Sequence, residues 1–159
     1  MLGRLAIDIL RIMLLGALLL ILVVQVVLLP WLSGEMAREL PAEAHMRWPI
    51  LTLAILGLLC VQVAIICTVR LLGFTRADRV FSSGALRWVD GIIGAFLGGS
   101  LVCFATIVYQ SATVAGPPVW GLLLVCGVLA GIGLALLMVV MRALLIRATT
   151  FKSELDVVI

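Results

Sequence analysis

Charge is what this sequence has least of. Only 12% of its 159 residues are Asp, Glu, Lys or Arg, against 65% hydrophobic, which leaves too little polar surface for a water-soluble fold and suits contact with lipid. There is one histidine, His45, and the cysteines show neither CxxC nor Cys/His spacing, so no zinc ligand set is offered. The absence of a GxxxxGK[ST] element removes the common phosphate-binding loop. No nucleophile stands beside a base and no second carboxylate lies deep in an apolar run. The sequence therefore offers no catalytic residue, no metal site and no cofactor site, and an enzyme is not expected. The net charge of +3 is spread over several segments rather than gathered on one face, so direct nucleic-acid contact is not expected either.

What is present is length of apolar run. Residues 12–30, 49–72, 89–112 and 118–145 each exceed the roughly 18 apolar residues that mark a membrane-spanning helix. They predict an all-α polytopic membrane protein with four transmembrane helices, one membrane domain over residues 1–159, and an amphipathic tail at 146–159. The first run is longer than the roughly 7 to 15 residues of a signal-peptide core and no convincing A-x-A site follows, so it reads as a retained anchor. Arg4, Arg11, Arg70, Arg76, Arg79, Arg87, Arg142, Arg147 and Lys152 fall on one side of these spans, and Arg38 and Arg47 on the other. The positive-inside rule then puts both termini and the tail in the cytoplasm, and loops 31–48 and 113–117 outside. Trp31, Trp48, Trp88 and Trp120 sit at span ends, where indoles favour the headgroup layer. Pro49 and Pro118 suit a first helical turn, where the missing N–H is not needed.

Because lipid is as apolar as leucine, spans associate through close backbone approach and polar contacts. Gly94 and Gly98, with Gly91 nearby, mark a small face on the third span; Gly127, Gly131 and Ala135 mark one on the fourth. These faces predict a close hairpin between the two. Counting helical rise from Pro117 puts Asp90 and Arg142 at similar depth, about 40 Å along each helix. Both continue the small faces, and Arg70 ends the second span at that level, so an Arg70, Asp90 and Arg142 cluster is expected as a structural ion pair. Gln25 and Gln62 are the most polar residues of the first two spans and lie at different depths, so each is expected to meet a backbone carbonyl, a hydroxyl or a neighbouring subunit. Cys60, Cys67, Cys103 and Cys126 read as small apolar fillers.

The connections carry weaker signals. Glu35, Glu39 and Glu43 recur every four residues before His45, with Pro41 interrupting the face, and read as a solvated acidic loop. The inner segment 70–91, RLLGFTRADRVFSSGALRWVDG, has basic residues on both flanks of Val80 and Phe81 and would attract anionic headgroups. Ser82 and Ser83 are placed to cap a helix entering the third span. In the tail, Leu144, Ala148, Phe151, Leu155 and Val158 step by four, three, four and three, a heptad stripe. Two heptads suit a partner-binding face, packing on the inner loop, or the membrane surface.

QVVLLP at 25–30, RWPI at 47–50, DRVFSSGALRWVD at 78–90 and LMVVMRALLIRATTFKSELDVVI from Leu137 together resemble a family of small bacterial four-span membrane proteins, the domain of unknown function 2975 family, nearly end to end. The resemblance implies a multi-pass protein of the bacterial plasma (inner) membrane, and no reaction is assigned to that family. The resemblance implies, by association, a protein that holds or signals to a small helix-turn-helix regulator encoded beside it. The leading expectation is a non-enzymatic protein that binds such a cytoplasmic partner through its inner segment and tail, in contact with the bilayer and either as a homo-oligomer or within a larger membrane complex. The alternative is an oligomeric small transporter, channel or accessory subunit using Asp90, Gln25 or Gln62.

Overall fold

The structure, a computed structural model, describes residues 2–39, 41–76, 83–113 and 118–158, and these are helical throughout, with no strand among them. In chain order they form α1 (Leu2–Val23), a π-turn (Val24–Leu28), α2 (Leu29–Glu39), a 3-10 turn (Pro41–Met46), α3 (Arg47–Arg76), α4 (Ser83–Thr113) and α5 (Pro118–Val158). Four helical rods, beginning at Arg4, Ala44, Gly84 and Pro118, are long and apolar enough to cross a membrane.

Every rod outruns its apolar core. The first was expected to end at Pro30 and give way to a loop; instead α1, the π-turn and α2 run on to Glu39. Proline inside a helix lacks an N–H and its ring crowds the carbonyl four residues back, here Val26. The turn just before Pro30 widens so that the Leu29 N–H bonds to the Val24 carbonyl five residues back, and the helix absorbs the proline instead of stopping. Most of the expected outer loop is thus helix followed by a 3-10 turn. Ser33 donates its hydroxyl to the Pro30 carbonyl at 3.0 Å and accepts the Arg47 Nε–H at 3.3 Å, which fastens α2 to the start of α3. The Arg47 guanidinium also stacks 5.4 Å from the Trp48 ring centroid.

The rods are arranged in chain order. α4 lies in the middle of a tight trio, packed along α3 on one side and α5 on the other, while α1 touches α3 over a much smaller stretch. No substantial contact joins α1 to α5 among the described residues. The set is an open row of helices with one concave side, not a closed bundle.

Candidate functional site

Small residues build both seams of the trio, and they choose different neighbours from those expected. On α5, a Cβ at Gly131 would collide with Ser100 Oγ and stand 3.1 Å from the Phe96 carbonyl oxygen, and one at Gly127 would stand 3.3 Å from Cys103 Sγ. Ala135, 2% exposed, continues this face against α4. On α4, however, Gly91 and Gly98 face α3: a Cβ there would stand 2.8 Å from Cys67 Sγ and 3.3 Å from Cys60 Sγ. Gly94 has nothing within 4 Å of its absent side chain. The glycines of α4 therefore do not meet those of α5, as the hairpin reading assumed. What meets Gly127 and Gly131 is Cys103 and Ser100, which was not singled out. Ser100 donates to its own helix at Phe96 O, 2.9 Å, and lies 3.5 Å from Val128 O of α5. Cysteine thiols act here as knobs seated on glycine in the neighbouring helix. The matching seven-residue spacings, 60 to 67 and 91 to 98, were the signal that could have found the α3–α4 register.

At one end of the α4–α5 seam the Arg142 Nη2 donates to Asp90 Oδ2 at 3.3 Å, and Nε lies 2.6 Å from Oδ1, out of line for a hydrogen bond. Both side chains are partly exposed, so the pair contributes about 1 kcal/mol or less in contact with water. Arg70 does not join them. Its guanidinium lies over Trp88, 5.7 Å from the ring centroid. An arginine on an indole face two residues along α4 from Asp90 is a cation–π contact, and the expected three-residue cluster resolves into two separate pairs.

The α1–α3 contact is of another kind. Gln25, in the widened π-turn, donates from Nε2 to the Ile55 carbonyl at 3.1 Å. Gln62, one heptad further along α3 from Ile55, is 7% exposed and its Nε2 has no hydrogen-bond partner among the described residues. On the concave side an apolar cleft of about 620 Å³ runs between the rods, lined by Leu14, Gly57, Cys60, Gly99, Cys103 and Gly127 among others. On the opposite membrane face, Glu35 pairs with Arg38 at 3.6 Å, and among the described residues no three His, Cys, Asp or Glu side chains converge.

The tail is not a separate element. α5 is unbroken from Pro118 to Val158, roughly 61 Å at helical rise, against about 40 to 45 Å for a bilayer with its headgroups. Leu144, Phe151, Leu155 and Val158 are 54%, 65%, 63% and 84% exposed, and Ala148 is exposed with them. Thr149, Thr150 and Ser153 return their hydroxyls to carbonyls of their own helix. Val80, Phe81 and Ser82 of the inner segment lie outside the described residues.

Four apolar rods, three of them joined by small-residue seams, with ionic groups kept to their ends, define a multi-pass helical membrane protein. Residues 31–159 match the family described as Protein of unknown function (DUF2975), and the chain belongs to that family. The match begins at Trp31, after the π-turn, so QVVLLP at 25–30 falls outside it and the likeness is less complete than end to end. No curated protein and no solved structure matches the chain.

Proposed function

We propose that this chain is a non-enzymatic, single-domain protein of the bacterial plasma membrane that binds a cytoplasmic partner through its inner segment and the tail from residue 146. One observation carries the reading: α5 continues beyond the span with an apolar stripe, exposed among the described residues. A membrane protein gains nothing from an exposed heptad stripe in water unless something docks on it. Orientation follows from the nine Lys and Arg residues on the tail's side against two on the other. By the family association, a small helix-turn-helix regulator is the partner class to look for first. The test is affinity purification in mild detergent of the tagged full chain beside a truncation after Arg147. A cytoplasmic protein recovered with the full chain and lost from the truncation supports the reading; equal recovery from both removes the tail from it.

A second reading rests on the open side of the row. An oligomeric transporter, channel or accessory subunit would use the cleft between α1 and α5 as its contact with further subunits. Flux through liposomes containing the purified protein, abolished by Asp90→Asn, would put this reading first.

A further inference from the structure

Most residues lining the cleft on the concave side are Gly, Ala, Ser, Thr or Cys, among them Ala54, Gly57 and Ala64 on α3 and Ala95 and Gly99 on α4. Contact with lipid chains needs no such residues; close approach of another helix backbone does. The cleft also continues the two seams. Gly127 and Gly131 line it while seating Cys103 and Ser100, and Cys60 lines it while standing over Gly98. The lining lies well inside the described helices: the helix ends beside 77–82 and 114–117 are at least about 12 Å along their helices from any lining residue. The cleft is therefore a groove within the membrane, shaped for one more helix.

α5 itself carries a face that matches it. At about 100° per residue, Cys126, Ala130, Gly133 and Leu137 fall on one stripe about 100° to 160° around α5 from Gly131, displaced in the same sense as Gly127, which is the cleft side. These four residues are exposed among the described residues, and the absent side chain of Gly133 has nothing within 4 Å. The depth also agrees. Cys60 stands against Gly98 and Gly99, and Ser100, the next residue of α4, stands against Gly131, so Cys60, Gly99 and Ala130 share one level. Two copies inserted by the same charge rule are parallel, and a two-fold axis relating them runs along the membrane normal and keeps every residue at its depth. We infer that two copies pair about such an axis, the Cys126, Ala130, Gly133 and Leu137 face of each α5 seated in the cleft of the other, with Ala130 against Cys60 of the partner subunit. The contact is used twice and closes at a dimer. This rests on the reading of the cleft as a subunit contact and adds which helix fills it.

The experiment uses two differently tagged full chains in one membrane. One keeps Cys60 alone through Cys67→Ala, Cys103→Ala and Cys126→Ala; the other has all four cysteines replaced by Ala and carries Ala130→Cys. Oxidation with copper–phenanthroline should join the two tags by a disulfide, while either chain expressed alone gives none. In parallel, the fluorescently labelled full chain in lipid vesicles should bleach in two steps. Ala130→Trp adds bulk on an exposed position, outside both seams of the single chain, and should shift the population at least tenfold toward one step. A disulfide between two Ala130→Cys chains, with none to Cys60, overturns the inference by placing the α5 helices against each other. Two-step bleaching without the mixed disulfide, or unchanged by Ala130→Trp, also overturns it and leaves the subunit-contact reading standing. One-step bleaching of the unsubstituted chain, the result of a cleft filled by lipid chains alone, overturns both.

Discussion

The first rod and the other three are held by different means. α3, α4 and α5 approach closely enough that glycine Cα atoms face cysteine and serine side chains, and 22% of the most apolar stretch of α4 is buried. None of the corresponding stretch in the first rod is buried, and the Gln25 amide fastens it to the Ile55 carbonyl of α3. The family match also begins at Trp31, beyond α1. Close packing is distributed over many small contacts and is lost all at once by one added side chain; a single hydrogen bond is local and replaceable. The trio is thus the mechanical unit, and α1 is attached to it.

Substitutions can break or sharpen that contrast. The largest effect is expected from Gly131→Leu, which drives a side chain into Ser100 and the Phe96 carbonyl; a loss of about 3 kcal/mol should appear in reversible unfolding in mixed micelles. Gly94→Leu, with open space around it, should cost far less, and equal losses at the two sites would mean the α4–α5 seam is not as described. Next, Asp90→Arg should cost about 1 kcal/mol, restored when Arg142→Asp is added; a double variant no better than the worse single one breaks the pairing.

Smaller effects belong to the two glutamines, Gln62 on α3 and Gln25 on the first rod. Gln62→Leu should raise stability by about 1 kcal/mol, because it removes a buried donor left without an acceptor. A loss of stability there would show that the amide has found a partner in the bilayer. Gln25→Leu should cost about 0.6 kcal/mol, an average for a hydrogen bond between membrane helices, and protease accessibility of residues before Pro30 should rise while the trio's unfolding midpoint stays within error. Cooperative loss of the whole fold on that single change would place α1 inside the mechanical unit.

Much of this architecture was legible in the residues. Four apolar runs each long enough to cross a bilayer fix the number of rods, because hydrocarbon length leaves no other use for them. Depth along a rod was also legible, since helical rise is constant, and counting from Pro117 set Asp90 level with Arg142. Direction around the rod was not. Arg70 sits at the same level as Asp90 yet lies over Trp88, and the glycines of α4 were identified as contacts without the knowledge that α3, rather than α5, sits on them. A small-residue pattern says that something approaches closely; it does not say what. Helix ends were misread for a different reason. Pro30 is a stop signal by propensity, and the π-turn that accommodates it leaves no mark in the sequence. The tail's heptad stripe was visible, but its outward direction depended on knowing that α5 is one continuous helix and which of its faces meets α4.

That unbroken α5 is also a lever. A rod without a joint passes tilt from one end to the other, and at roughly 61 Å a change of about 10°, well inside the spread of membrane-helix tilts, sweeps its far end through roughly 10 Å. Thickening or thinning of the bilayer around Trp120 that tilts the trio as one body would therefore move Val158 by about the width of a helix.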